Sequence, residues 1–598
     1  MKNKRGPVSR GLRGAALSGI LVLCGMLCGG CARDGGTDVS RLLGSPDETY
    51  EKQQGNETFF ADRAVCYEGE EDPPVTTVYL TVGKGNEREG TDHTWEEVNG
   101  YPVSWYEERG LTPYACEAVL QVGDERGPVP DQFGYGELAA NATVRLRGEG
   151  ASNQQQKSYR ITIKEGKGKW EEQKVVVLNK YFSDPLRFKN RLACSLMQTI
   201  PGMVSVRTRF VHLYVKDKTQ EEEGLFEDYG LYTQVEQMNK SYLKYHGLDR
   251  DGELYEAEDF NWRPHSALRL ATDPEFVQED FERYLEIQGS DDHRGLLAVI
   301  EAVNDRERPI AEIIDTYFDR ENLYHWMAFQ ILTGNREAAK SGYYLYSPGA
   351  ADTWYFISGN SSGLWSDFYE KLQDPAWDAS WSQGIHSLAE NVLFRRILKD
   401  ETCREELTEA VGRLYTEYLT EERIRSLAEK YGETVKPYVY ELPDKMFARV
   451  TEKVYDELTD GLAEEVGAHY REYQESLKRP WPFHILAPRQ KGETLLLSWK
   501  KAYVSAQEEA GYTVELSRDY GFEECIVKKE EVQGRRLEVE KLPKGQYFLR
   551  VCAHTSDGQS QDAFETYWTE AGEKIYSTMC FYVRGDGSIV VSEFHEDE

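Results

Sequence analysis

The hydrophobic period changes twice along this 598-residue chain, and each change restricts what the next stretch can become. From about Asp72 to Ile163 apolar residues alternate, as in Val78-Tyr-Leu-Thr-Val82 and from Cys116 to Val122. A period of two places one set of side chains on one face of a strand. Thr143-Val-Arg-Leu-Arg-Gly148 and Lys157-Ser-Tyr-Arg-Ile-Thr-Ile163 continue the pattern. Asp184 to Ile200 is expected to be helical through Leu186, Leu192, Leu196 and Met197. Phe210–Val215 and Tyr229–Val235 read as paired strands around an acidic insertion, Asp217 to Asp228. Beyond Ala257 the period lengthens to that of helices. Asn322–Leu332 is apolar enough for a buried helix, and Leu407, Ala410, Val411, Leu414 and Tyr418 keep helical spacing. So do Ile424, Leu427, Ala428 and Tyr431, with Thr420 as N-cap and Gly432 as stop. After the proline-rich join Pro480–Pro488 alternation returns, in Leu495/Leu497/Trp499, Tyr512/Val514/Leu516 and Tyr547/Leu549/Val551/Ala553. The fold class is therefore α+β, a β-rich lobe then a helical one, followed by an all-β domain.

The first thirty residues read as a targeting signal. Lys2, Lys4, Arg5, Arg10 and Arg13 precede an apolar core, Ala15 to Leu27, too short for a stable membrane span. Leu27-Cys28-Gly29-Gly30-Cys31 resembles a bacterial lipobox with Cys31 as the lipidated residue, although Cys28 stands where leucine is usual. Ordinary signal cleavage is the alternative. Residues 31–56 are polar and Gly/Asp/Glu-rich, a flexible tether to a lipid-anchored, extracytoplasmic body at the bacterial plasma membrane.

The whole chain carries a net charge of −33, and removal of five basic signal residues leaves it more acidic still. Nucleic acid and anionic lipid surfaces both require a basic footprint, so neither is an expected partner of the body. Downstream of Cys31 seven cysteines are scattered without CxxC spacing, which indicates neither zinc nor a disulfide scaffold. One or two disulfides, as within the C-terminal domain, stay open.

Leu542-Pro-Lys-Gly-Gln-Tyr-Phe-Leu-Arg-Val551 resembles the late-strand region of a fibronectin type III domain, which implies a β-sandwich over 485–598 including a C-terminal tail. Further upstream, ordered blocks resemble the spore-coat-protein-H (CotH) kinase family over about Pro73 to Pro480. They are Val144-Arg-Leu-Arg-Gly148 with Gln156-Lys-Ser-Tyr-Arg-Ile161, Leu178-Asn179 with Asp184, Arg187 and Asn190, and Asp228-Tyr-Gly-Leu-Tyr-Thr-Gln-Val-Glu-Gln237. Leu332-Thr-Gly-Asn335 and Tyr343-Tyr-Leu-Tyr-Ser-Pro348 follow. The resemblance implies an atypical, two-lobed protein-kinase-like fold over 57–480. It implies Lys157 and Arg147 near nucleotide phosphates and Glu236 near the lobe hinge. Asp228-Tyr-Gly230 mimics a kinase metal triplet but precedes the hinge strand and reads as a turn.

The carry-over then fails at the chemistry. The family's catalytic loop usually reads Gly-Asn-x-Asp with a later Asn, whereas this chain has Gly334-Asn-Arg-Glu337 and Gly342. Glu337 keeps a carboxylate at the base position, but one methylene further out, and a shift near 1 Å can cost about a hundredfold. The family's metal motif, Pro-Trp-Asp-x-Asp-Gly, is replaced by Ser358-Gly-Asn-Ser-Ser-Gly363. Asn360 and Ser362 supply no charge, and magnesium needs hard, usually anionic oxygen ligands. Weak ATP binding through Lys157 stays available, but a firm Mg²⁺ or Mn²⁺ site is not expected. The expected function is thus a surface pseudokinase that binds or scaffolds protein partners. The alternative is an active atypical kinase phosphorylating Ser/Thr of surface or spore-coat proteins, its metal held by Glu337 or Asp367. Gly359-Asn-Ser-Ser-Gly363 also matches the G-x-S-x-G elbow of serine hydrolases. His386, His469, His484 and His554 lie downstream of Ser361, but none has a recognisable context.

Overall fold

The computed structural model describes residues 60, 62–68, 75–220, 224–349, 351–359, 363–373, 384–504 and 509–591. The signal, Cys31, the tether, Asn360 and Ser362 lie outside these residues.

The alternating N-terminal segments build strands β1 (Thr76–Gly83), β2 (Ala115–Asp124), β3 (Gly127–Pro128) and β4 (Ala142–Leu146). With β5 (Tyr159–Ile163), β6 (Val175–Asn179), β7 (Thr208–Asp217) and β8 (Phe226–Glu236) they form one sheet. Its order is β1-β7-β8-β6-β5-β4-β2-β3, and β1 also pairs with β2, so seven strands close on themselves. Closure satisfies both edges of every strand in the ring. All neighbours run antiparallel except β1 and β7. Inward positions carry Val78, Leu80, Leu120, Val144, Ile161, Val176 and Leu213, which fill the interior. A fully buried side chain of this kind contributes about 1.5–3 kcal/mol.

A second, antiparallel sheet follows the order β10-β9-β11-β12, from β9 (Glu253–Ala257), β10 (Leu285–Ile287), β11 (Tyr343–Ser347) and β12 (Tyr355–Ser358). Helices surround it: α1 (Lys189–Met197), α2 (Arg320–Leu332), α3 (Asp367–Gln373), α4 (Glu421–Val439) and α5 (Glu452–Ser476) are those that position the site. Buried Asn322 pins α2 to β12. Its Nδ2 donates to the Phe356 carbonyl at 3.0 Å and its Oδ1 accepts the Phe356 N–H at 2.7 Å. One apolar core runs from Phe60 to Trp481 through these helices.

Several sequence readings change here. The first helix begins at Lys189 rather than Asp184, because Asp184 folds back to accept the N–H groups of Leu186 and Lys189. Asp228-Tyr-Gly230 is no turn but part of β8, with Gly230 at φ 75° beside a register shift in the β7–β8 ladder. A Cβ on Gly230 would fall 2.0 Å from Asp444 Oδ2. Gly432 does not stop α4, which continues to Val439. Thr420 does cap it, accepting the Arg423 N–H. All seven described cysteines are free thiols, so the C-terminal disulfide left open above does not form.

Asp444, in the connection from α4 to α5, reaches into the closed sheet. It pairs with Lys180 at 2.8 Å and accepts from Gln156 and the Leu231 N–H. Both ends of that ion pair are almost fully buried, and burial pulls the Lys180 pKa down to about 8.

After Trp481 a two-sheet β-sandwich forms around its own core of Leu495, Leu497, Val514, Leu549 and Val551. One sheet joins Ile485–Lys491, Thr494–Trp499 and Arg536–Glu540. The other joins Cys525–Val532, Gly511–Ser517, Gly545–His554, Thr578–Val583 and Ile589–Val591. At the junction Lys399 Nζ lies 5.2 Å from the ring centroids of both Trp481 and Tyr503. No described helix is long and apolar enough to cross a membrane.

Candidate functional site

The end of β8 meets the second sheet in a narrow cleft. Arg147, Val177, Asn190, Cys194, Glu236, Met238, Tyr344 and Gly359 are among its walls, and it encloses about 10 Å³. That is room for about one water molecule. Arg147 Nη1 donates to Asn179 Oδ1 at 2.9 Å. Lys157 does not line the cleft; its Nζ donates to the Ser152 carbonyl at 2.6 Å, and partial burial lowers its pKa.

Glu236 does line the cleft, but its carboxylate is engaged from behind. The Arg207 guanidinium donates to it, and His246 Nε2 lies 2.9 Å from its other oxygen. His246 Nδ1 lies 3.0 Å from Asp62, which also accepts the Ser205 N–H and the Tyr67 hydroxyl. Burial alone would push the Glu236 pKa up, but His246 and Arg207 outweigh it and hold it below its ordinary value. Burial likewise disfavours charge on His246, and the two flanking carboxylates overcome it and raise its pKa. This circuit straps the short turn Ala64–Tyr67 to the end of β8.

The segments around Gly334–Glu337 and Gly363 meet elsewhere. Gly334 takes φ 65° after α2, and Arg336–Ala339 forms one turn of 3-10 helix. Asn335 Nδ2 donates to Gln330 Oε1 at 2.7 Å, and Gln330 donates to Ser358 at the end of β12. A Cβ on Gly363 would fall 2.8 Å from Asn335 Oδ1 and 3.3 Å from Glu337 Cγ. The loop carrying Glu337 therefore packs against the backbone just past the metal-motif turn. Gly342, at φ 73°, accepts the Gly359 N–H at 2.9 Å through its carbonyl and extends the β11–β12 ladder at its open end.

Behind this loop lies a second cavity, of about 110 Å³, lined by Gly334, Asn335, Arg336, Asp367 and His469 among others. Arg336 Nη2 lies 2.9 Å from both oxygens of Asp367, the first residue of α3. Glu465 of α5 accepts the Asp367 N–H at 2.8 Å, capping that helix. Burial opposes ionisation of Asp367, but His469 and Arg336 outweigh it and lower its pKa. Glu465, more deeply buried, is pushed up.

Asp62, His246, Glu465 and His469 escaped sequence reasoning. His469 was visible as a histidine downstream of Ser361, but its partners lie far away in sequence, and spacing carries no signal for them.

A family model described as CotH kinase protein matches residues 144–472, slightly more than half of the chain. It spans β4 to near the end of α5 and leaves out the first three strands and the sandwich. No curated protein matches the chain.

Proposed function

The chain belongs to the CotH kinase family, and from that membership we propose that it is a pseudokinase: a kinase-like body that binds protein partners without transferring phosphate. One observation carries the reading. The hinge cleft, where a family nucleotide would sit, encloses only about 10 Å³, whereas small-molecule pockets run to roughly 300–1,000 Å³. The losses of acid at Asn360 and Ser362 point the same way, because phosphoryl transfer depends on positioning and metal-borne charge neutralisation.

In this reading the closed sheet and the helical part are the two lobes, Arg147 and Lys157 are remnants of the phosphate side, and Glu337 is a remnant base. The C-terminal sandwich is a fibronectin type III-like module. Supporting this, the Tyr547 hydroxyl donates to the Pro543 carbonyl at 2.8 Å, the tyrosine corner of such sandwiches. Lipidation at Cys31 would hold the whole at the outer face of the membrane.

Radiolabelled ATP turnover with Mg²⁺ or Mn²⁺ tests the proposal. The natural chain is expected to be inactive, and labelling that appears only in the combination Glu337→Asp/Gly342→Asn/Asn360→Asp/Ser362→Asp would support the reading. Asn at 342 suits the backbone, since φ 73° is a conformation asparagine tolerates. Robust labelling by the natural chain, abolished by Arg147→Ala or Lys157→Ala, would overturn the reading.

A further inference from the structure

Asp367 and His469 line the cavity behind the Glu337 loop, and buried Glu465 stands beside them. Asp367, Glu465 and His469 each offer a donor atom, and these atoms lie within 4.8 Å of one another. His469 Nδ1 donates to the Leu332 carbonyl at 3.0 Å, which turns Nε2 toward the two carboxylates. Backbone support of this kind is the usual second partner of a metal-bound imidazole.

Nε2 is deeply buried, yet it makes no hydrogen bond among the described residues. It stands 3.5 Å from Asp367 Oδ2 and 3.9 Å from Glu465 Oε1. A charge-assisted N–H···O bond would close to about 2.7–2.9 Å. In a tetrahedral site with bonds of ~2.0–2.2 Å, neighbouring donor atoms stand roughly 3.3–3.6 Å apart. Both spacings are too wide for the first arrangement; the 3.5 Å one matches the second, and the 3.9 Å one closes onto an ion with a small side-chain shift.

The surroundings are built to keep the ring there. A Cβ on Gly334 would fall 2.4 Å from the His469 ring, so only glycine leaves the imidazole its place. Asp367 and Glu465 are fixed in turn by Arg336 and by the first N–H of α3.

We propose that Asp367, Glu465 and His469 form a binding site for a divalent first-row transition metal, with a fourth position open to the 110 Å³ cavity. Two carboxylates and one imidazole suit zinc or manganese rather than calcium, which takes six to eight oxygens. Arg336 is the built-in competitor: a dication either shares Asp367 with it or displaces it into the cavity. The proposal shares Asp367 with the active-kinase alternative, but the two cavities share no lining residue, so metal binding here and phosphate transfer are tested separately. Nucleotide plays no part in its test.

The full chain, stripped with chelator and re-equilibrated with Zn²⁺, is expected to retain one metal per chain by mass spectrometry after gel filtration. Co²⁺ in its place should give the visible absorption of a tetrahedral ion. His469→Gln and Asp367→Asn should each weaken Zn²⁺ binding by at least about tenfold, and Arg336→Gln should tighten it. Circular dichroism checks the fold of each variant, and Asp367→Asn, which keeps the side-chain shape, decides if His469→Gln does not fold. No retained metal, binding indifferent to Asp367→Asn, or weaker binding in a folded Arg336→Gln variant would overturn the proposal.

Discussion

Two histidines in this molecule are buried between pairs of carboxylates, and they do opposite things. His246, beside the end of β8, places Nδ1 3.0 Å from Asp62 and Nε2 2.9 Å from Glu236, so both nitrogens are engaged at bonding distance. His469, behind the loop, gives Nδ1 to a backbone carbonyl and holds Nε2 at 3.5 and 3.9 Å from Asp367 and Glu465. The residue types are the same. In the first case the ring spans its partners and acts as a strut. In the second a carbonyl has taken one N–H, so the ring cannot reach both acids and a gap of cation size is left. Spacing, set by elements far apart in sequence, separates the two.

The contrast breaks most plainly under substitution. His246→Gln should cost about 3–5 kcal/mol, because Asp62 and Glu236 then face each other buried without a cation between them. His469→Gln without metal should cost only about 1–2 kcal/mol, the loss of one hydrogen bond and some packing. Urea midpoints for the two variants measure the difference, and equal losses would mean that both rings are struts. Zn²⁺ at a hundred times its dissociation constant should stabilise the natural chain by about 2.7 kcal/mol. His246→Gln should keep that increment and His469→Gln should lose it, as read by thermal denaturation. Gly334→Ala sharpens the second half of the comparison. Its φ of 65° alone costs a non-glycine residue about 1–2 kcal/mol, and the displaced ring should lower the Zn²⁺ increment as well.

The smallest effect is that of pH. The His246 pKa is raised above its ordinary 6.5, so its contribution is complete below that value and is lost as pH climbs through the raised one. The Glu236 pKa is lowered from 4.5, so its share is present above that value and is lost as acid takes the pH through the lowered one. The strap is therefore firmest between 4.5 and 6.5. Moving from pH 6 to alkaline solution should weaken the natural chain by about 1.4 kcal/mol per unit of histidine shift relative to His246→Gln. Denaturation curves of the pair across pH that stay parallel would show that His246 gains nothing from its neighbours.

How much of this was legible depended on whether the signal was local. Alternation found β1, β2 and β5, the apolar run found α2, and Thr420 announced the start of α4, because each rests on residues within one or two turns. The sandwich core came through too, as Leu495, Leu497, Tyr512, Val514, Leu549 and Val551 are all buried. Gly432 misled because its neighbours Tyr431 and Val435 bury the same face of a helix that tertiary packing carries past it. The motif loop was placed by resemblance, and Glu337 and Gly363 do meet. Asp62 and His246 stand 184 residues apart, and Asp367 and Glu465 98. No periodicity spans such distances, so both histidine sites emerged only once the chain had folded.

The strap also sets a load path. Any pull on the chain ahead of Phe60 arrives first at that ring, stacked 4.3 Å from Tyr355, and then at Asp62 on His246. Tension would thus be borne by the strut beside the end of β8 before it reached β1. A force on the N-terminal side is coupled by connectivity alone to the geometry of Glu236, and so to the walls of the narrow cleft.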